Sequence, residues 1–270
     1  MDNTSSENYL RIVSFNIRYD NAQDGDNRWL NRRDLVADVL RLHRPDIAGL
    51  QEALKHQVDD LAVRLPEFAW TGVGRDDGKE AGEYAPIFFD KARLGLLAQA
   101  TFWLSETPDL PGSEAWEACT RIVSWAKFRD KRTRNTVFVF NTHFDHESQL
   151  ARVESAHLLL ARVKDIANGM PVVVTGDFND DETSRTYQIL TQEDQKGHDL
   201  ILSDTKHLSR QEHYGPAATT NSKFQGCFRR KIDYIFVKNR VQVIRHGILS
   251  DNWDGRYPSD HLPVIAEVLI

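Results

Sequence analysis

The feature that most limits what this chain can fold into is a succession of short apolar runs, rich in Val, Ile and Phe, that recurs along its whole length. Their β-branched and aromatic content, and the turn residues between them, mark strands. Strands are predicted over residues 10–17, 47–50, 85–89, 122–128, 136–142, 171–176, 232–237 and 263–269. Over 148–168, Leu150, Val153, Ala156, Leu160, Val163 and Ala167 recur at helical spacing and form one stripe, which Gly169 ends. A second helix is expected over 32–43, with Asn31 as its N-cap and Pro45 beyond its end. Strands alternating with helices predict an α/β chain. No repeat or proline-rich linker divides it, so residues 10–270 are expected to form one domain behind a polar tail, residues 1–9.

Composition narrows the function. The formal net charge of −6 argues against a broad basic face for duplex nucleic acid, because Lys and Arg neutralising phosphates dominate such binding. Cys119 and Cys227 stand far apart without a Cys or His cluster, so they read as ordinary thiols rather than a zinc ribbon or a disulfide framework. No apolar run approaches the roughly 20 residues that span a bilayer, and no export signal is visible at the start, so a cytoplasmic protein without membrane insertion is expected.

The polar residues at the ends of the apolar runs carry the chemistry, since burial there without purpose is costly. In Ser14-Phe15-Asn16-Ile17-Arg18 an extended chain sends Asn16 and Arg18 to one side, an amide and a cation suited to an anion. Gln51-Glu52 follows a strand with a carboxylate suited to Mg²⁺. Glu83 opens one run, and Asn141-Thr142-His143-Phe144-Asp145-His146 closes another, with His143 and Asp145 on the same side if the chain stays extended. Gly176-Asp177-Phe178-Asn179 places two polar groups two apart after a strictly apolar strand. Asp260 and His261 are neighbours and face opposite ways, so His261 needs a carboxylate from elsewhere; Asp233, inside an apolar strand, is the best candidate, which leaves Asp260 for a metal.

In this order these blocks resemble the endonuclease/exonuclease/phosphatase superfamily, which includes deoxyribonucleases, abasic-site endonucleases, sphingomyelinases, inositol polyphosphate phosphatases and deadenylases. Its most specific pieces are Gly176-Asp177-Phe178-Asn179 and Ser259-Asp260-His261-Leu262-Pro263. The resemblance implies a four-layered sandwich of two packed β-sheets flanked by helices, with Asn16, Glu52 and Asp260 around a metal. It further implies Asp177 and Asn179 near the attacking water and phosphate, Asp233 orienting His261, and a second pair, Glu83 with His143. Arg18 and His143 depart from the abasic-site branch. The segments 27–33, 102–108 and 142–146 resemble a microbial and fungal subgroup, which leaves the substrate open.

The expected reaction is hydrolysis of a phosphodiester, as by a nuclease, with Mg²⁺ or Mn²⁺ held mainly by Glu52 and Asp260. Arg18, Asn16, Asn179 and His143 are the expected contacts to the phosphate-ester substrate, and Asp177 competes with the Asp233–His261 pair as general base. Two alternatives stand beside it: a phosphomonoesterase on a small sugar, inositol or nucleotide phosphate, and a catalytically silent binding module. The loops over 20–29, 72–82, 107–116 and 203–225 are long enough to carry recognition. Trp29, Trp103, Trp116 and Trp253 in or near them either stack on a base or sugar or serve packing. Arg132, Arg134 and the Arg229-Arg230-Lys231 cluster either line a phosphate-rich cleft or are solvated surface charge.

Overall fold

The computed structural model describes residues 8–114, 116–192 and 201–270. Most of the predicted tail, and residue 115 of the loop over 107–116, lie outside the described residues. The chain opens with β1 (Leu10–Asn16), α1 (Trp29–His43), β2 (Ile47–Gln51), α2 (Lys55–Arg64), β3 (Phe68–Thr71) and β4 (Ile87–Asp90). It continues through β5 (Leu94–Trp103), β6 (Ile122–Asp130), β7 (Thr136–His143), α3 (Gln149–Ala167), β8 (Val172–Asp177) and α4 (Arg185–Thr191). It closes with β9 (Ser203–Asp204), α5 (Thr205–Leu208), β10 (Asp233–Lys238), β11 (Gln242–Ile248) and β12 (Val264–Leu269).

These strands form two six-stranded sheets, ordered β11-β12-β1-β2-β4-β3 and β5-β6-β7-β8-β10-β9. Strand alternation divides the apolar side chains between inner and outer faces. Ile12, Ile47, Ile87 and Phe89 of the first sheet pack on Phe128, Val139, Val173 and Ile235 of the second. On the outer faces, Val36, Leu40 and Leu61 of α1 and α2 cover Phe15, Leu50 and Phe88. Leu159, Val163 and Leu190 of α3 and α4 cover Phe140, Val174 and Phe236. The result is the expected four-layered sandwich, helices outside two packed sheets.

Near one end the interface between the sheets turns polar. Asn141 accepts from Gln51 Nε2 at 2.7 Å and Thr175 Oγ1 at 3.0 Å, and donates to the carbonyls of Leu50 at 2.6 Å and Pro86 at 3.0 Å. Gly49 is what lets the sheets come this close: a Cβ there would lie 2.6 Å from Asn141 Oδ1 and closer still to Thr175 Oγ1.

The helix over 148–168 forms as predicted, capped by Ser148 Oγ at the Ala151 amide and closed by Asn168 in the left-handed conformation. The first helix differs from expectation. It begins at Trp29 after Arg28, and Asn31 donates its side-chain amide to the Asp26 carbonyl instead of capping. Tertiary contacts set that start: the buried Trp29 indole donates to Asp60 at 2.9 Å, and the buried Arg32 guanidinium donates to the Ile17, Arg18 and Pro258 carbonyls. Among the described residues no helix is long and apolar enough to cross a membrane.

Candidate active site

The polar network lies beneath a place where strand ends from both sheets meet. In the second sheet His143 ends β7 beside Asp177 at the end of β8, and Asp177 pairs in register with Asp233 at the start of β10. Facing them, Asn16 ends β1 beside Gln51, and Glu52 follows. The turn before β12 supplies Asp260 and His261, held by Ser259 Oγ, which donates to the Asn16 carbonyl at 2.7 Å. Arg32 ties the same turn to the exit of β1 through the Pro258 and Ile17 carbonyls, both at 2.7 Å.

His261 Nδ1 donates to Asp233 Oδ2 at 2.8 Å, so the orienting carboxylate comes from the strand that sequence reasoning named. Burial opposes charge on the ring, but the neighbouring Asp233 and Asp177 carboxylates outweigh it and hold the His261 pKa well above the usual histidine value. Asp177 sits at the centre. Its Oδ2 accepts from Asn16 Nδ2 at 3.0 Å and lies 3.7 Å from His261 Nδ1 and 3.6 Å from His143 Nε2, while its Oδ1 accepts from the Asn179 amide at 2.9 Å. Burial and the like charge of Asp233 raise its pKa to about 7, against the lowering effect of His261 and its hydrogen bonds.

On the other side of Asn16 stand Glu52 and Asp260. Glu52 accepts from Asn16 Nδ2 at 3.0 Å and from the Tyr19 amide at 3.1 Å. Arg18 lies 3.8 Å from each of the two carboxylates and is itself bound to Asp24 at 3.1 Å. Burial raises the Asp260 pKa, and the like charge of Glu52 adds to that against His261 and Arg18. Two neighbouring carboxylates that Arg18 approaches only to 3.8 Å fit a hard divalent ion with oxygen ligands. Asn16 stands between the carboxylates: its Oδ1 accepts from the Arg18 amide at 2.9 Å, and its nitrogen faces Glu52 and Asp177. Alternation is not what brings Arg18 here: β1 ends at Asn16, and Arg18, Glu52 and Asn179 all adopt left-handed backbone. For such residues that costs roughly 1 kcal/mol or more each, and it is held in place by the bonds just described.

Among the described residues, Asp177, Asp233 and His261 bring ligand-type atoms within 4.8 Å of one another, and so do two groups elsewhere, Cys119 with Asp145 and His146 and Glu182 with Asp204 and His207, whose carboxylates are already engaged. Asp145 caps the approach to α3 by accepting from the amides of Glu147, Ser148 and Cys119. Asp204 and Glu182 are bound by Lys231 and Lys206.

The second expected pair, Glu83 with His143, is joined by two arginines. Glu83 lies 3.8 Å from His143 Nδ1, and Arg121 holds the hydrogen-bonding position at 2.8 Å, while Glu83 receives Arg75 at 2.7 Å. Sequence reasoning missed Arg121, Arg75 and Tyr19. Arg121 carried the signal used elsewhere, a polar residue at the border of an apolar run; Arg75, in a loop, carried none. These residues, with His146 and Cys119, complete a cavity of about 260 Å³ over Glu52, Asp177, Asn179 and His261.

Other candidates lie elsewhere. Trp29 and Trp103 are buried, the latter donating to the Arg75 carbonyl at 2.6 Å, and Trp116 and Trp253 pack on the core. Lys231 is buried in its ion pairs, and Arg230 stands 3.6 Å from Asp181.

The comparison with known proteins follows the same lines. The sequence profile of the Endonuclease/Exonuclease/phosphatase family matches residues 13–261. An endonuclease/exonuclease/phosphatase from Bacteroides vulgatus is 40% identical, with a TM-score of 0.90 over 97% of this chain and 99% of that one. A mannosyl-6-phosphatase from Bacteroides thetaiotaomicron is 36% identical, with a TM-score of 0.89 over 97% of this chain and 100% of its own. Mouse Nocturnin is 23% identical over 98% of this chain, which spans 67% of its length; the chain spans 60% of a mimivirus relative and 64% of human Nocturnin. The chain therefore belongs to the endonuclease/exonuclease/phosphatase family, whose members are metal-dependent phosphoric ester hydrolases.

Proposed function

We propose that this chain is a divalent-metal-dependent phosphomonoesterase acting on a small phosphorylated sugar or similar polyol. This reverses the order of the two esters reached from sequence. The observation that carries it is the size of the cavity: about 260 Å³ is small for a ligand site, and Tyr19 is the one Phe, Tyr or Trp among its lining residues. A stacked nucleic-acid strand asks instead for a groove with several aromatic platforms and free basic residues along it. The 36% identity to a mannosyl-6-phosphatase over nearly the whole of both chains supports the same reading.

A divalent cation at Glu52 and Asp260 would supply positive charge to a phosphoryl oxygen. The chain's own groups would do the rest. His261, kept cationic by Asp233, donates to a second phosphoryl oxygen, and Asn179 donates through Nδ2. Asp177, central and buried, would take the proton of the attacking water at Oδ2, with Asn16 and the Asn179 amide holding its orientation. Arg18, beside both carboxylates, adds charge at the rim.

The test is hydrolysis of p-nitrophenyl phosphate, bis-p-nitrophenyl phosphate and mannose 6-phosphate, with Mg²⁺ or Mn²⁺ and with chelator, by the wild type and His261→Ala. Metal-dependent turnover of the monoesters that vanishes in the variant is expected. Preference for the diester would return the reading to a nuclease or related phosphodiesterase, and metal-independent silence on all three would leave a binding module.

A further inference from the structure

Arg121 constrains the chemistry of His143. The guanidinium is buried, with 4% of its surface exposed, and its Nη1 lies 2.8 Å from His143 Nδ1 while Nη2 lies 3.2 Å from His146 Nδ1. Arginine has donors only and keeps its proton, so His143 Nδ1 must present its lone pair. An imidazolium would aim an N–H at those donors. Burial, then the charges of Arg121 and Arg75, likewise hold the His143 pKa well below the usual value. A neutral ring that accepts at Nδ1 carries its proton on Nε2.

That N–H has no acceptor at hydrogen-bonding distance among the described residues. Asn179 Nδ2, 3.0 Å away, is itself a donor, its orientation set by its bond to the Phe144 carbonyl at 3.0 Å; Asp177 Oδ2 is 3.6 Å off. Two donors thus converge beside the cavity, a contact relieved by one acceptor oxygen shared between them. A carboxylate partner would do the opposite. Glu83 at Nδ1 would call for an Nδ1–H and would favour the charged ring, but it stands 3.8 Å away and is held by Arg75.

We propose that Arg121 is a positioning residue that locks His143 in the neutral Nε2–H tautomer, so that His143 and Asn179 form a two-donor cradle for one phosphoryl oxygen and His143 transfers no proton. The cradle rests on the phosphoesterase reading above; the tautomer does not.

Long-range ¹H–¹⁵N spectra of the ¹⁵N-labelled full chain near neutral pH, with His143 assigned through His143→Gln, test the tautomer directly. The wild type should show the neutral Nε2–H pattern. Arg121→Met, which leaves Glu83 as the nearest polar group to Nδ1, should move it to Nδ1–H, and Arg121→Lys, which restores a donor, should bring it back. An Nδ1–H or imidazolium pattern in the wild type, which needs no variant to fold, overturns the proposal, as does an unchanged pattern in Arg121→Met. With p-nitrophenyl phosphate and Mg²⁺, His143→Ala should lose about 10²- to 10³-fold in kcat, as loss of one transition-state donor does. His143→Gln, whose amide can donate from near the Nε2 position, should stay within about tenfold of wild type. Equal losses in both would refute the donor-only role. A wild type with the expected spectrum but no turnover would overturn the phosphoesterase reading and leave the tautomer standing.

Discussion

Replacing Gly49 by alanine is expected to destabilise the protein by prising its two sheets apart just below the active site. The new Cβ would lie 2.6 Å from Asn141 Oδ1 and 2.8 Å from its Cγ, with the Thr175 hydroxyl oxygen closer still. Neither neighbour can retreat cheaply, because Asn141 is tied to Gln51, Leu50 and Pro86, and both residues lie on paired central strands. Overpacking of this kind costs about 1–3 kcal/mol, and loss of one or two of the neutral hydrogen bonds adds about 1 kcal/mol each. Unfolding entropy of about 2.1 cal/mol/K per residue makes the combined loss worth a fall in Tm of roughly 4–9 °C in a chain of this length. Thermal unfolding followed by circular dichroism measures it. Gly49→Ala combined with Thr175→Ala, which removes the closest atom, should be less destabilised than the sum of the single variants. A Tm within about 1 °C of wild type for Gly49→Ala, or strict additivity in the pair, would refute the close-approach argument.

Further outcomes are expected at and away from the site. His261→Ala and Asp177→Asn should each lower kcat by about 10²- to 10⁴-fold while leaving a cooperative thermal transition, and a variant retaining more than about a tenth of wild-type activity would remove that residue from the mechanism. Glu52→Gln should raise the Mg²⁺ or Mn²⁺ concentration needed for half-maximal activity by about tenfold or more, read from a metal titration; an unchanged titration would take Glu52 out of the ligand set. Burial, with the nearby Lys231 charge, depresses the pKa of His246 to about 3, and its Nδ1 lies 3.0 Å from Thr205 Oγ1. The folded ring stays neutral while the unfolded one gains a proton below about pH 6.5, so this stability is full above that value and falls as the pH drops towards 3. At pH 5 the loss should be about 2 kcal/mol, and His246→Asn, which keeps a donor but does not titrate, should show a smaller acid decline in denaturant unfolding.

The strands predicted from sequence are the interior ones: β12, β1, β2 and β4 in one sheet, and β6, β7, β8 and β10 in the other. The four edges, β11, β3, β5 and β9, went unread among the described residues. The reason is burial. An interior strand needs apolar residues on both faces, whereas β5 keeps Leu96 and Leu97 exposed amid Gly95, Ala98 and Gln99, and β11 carries Gln242, Arg245 and Gly247. The site divides in a similar way. A polar residue at the end of a buried run is legible because nothing but function or a partner explains it, and so Asn16, Glu52, His143, Asp177, Asp233 and His261 were found and lie together.

What the sequence by itself determined is therefore the set of interior strands, the long helix and the carboxylates and histidines that crown them, because burial periodicity and the cost of a buried charge are properties of local sequence. Only the tertiary structure decided which way each group faces and what stands beside it: that Asn16 turns its nitrogen to the carboxylates, that Arg32 fastens two distant turns, and that Arg121 rather than Glu83 meets His143. Those outcomes depend on side-chain rotamers and on contacts between residues far apart in the chain, and no spacing in the sequence records them.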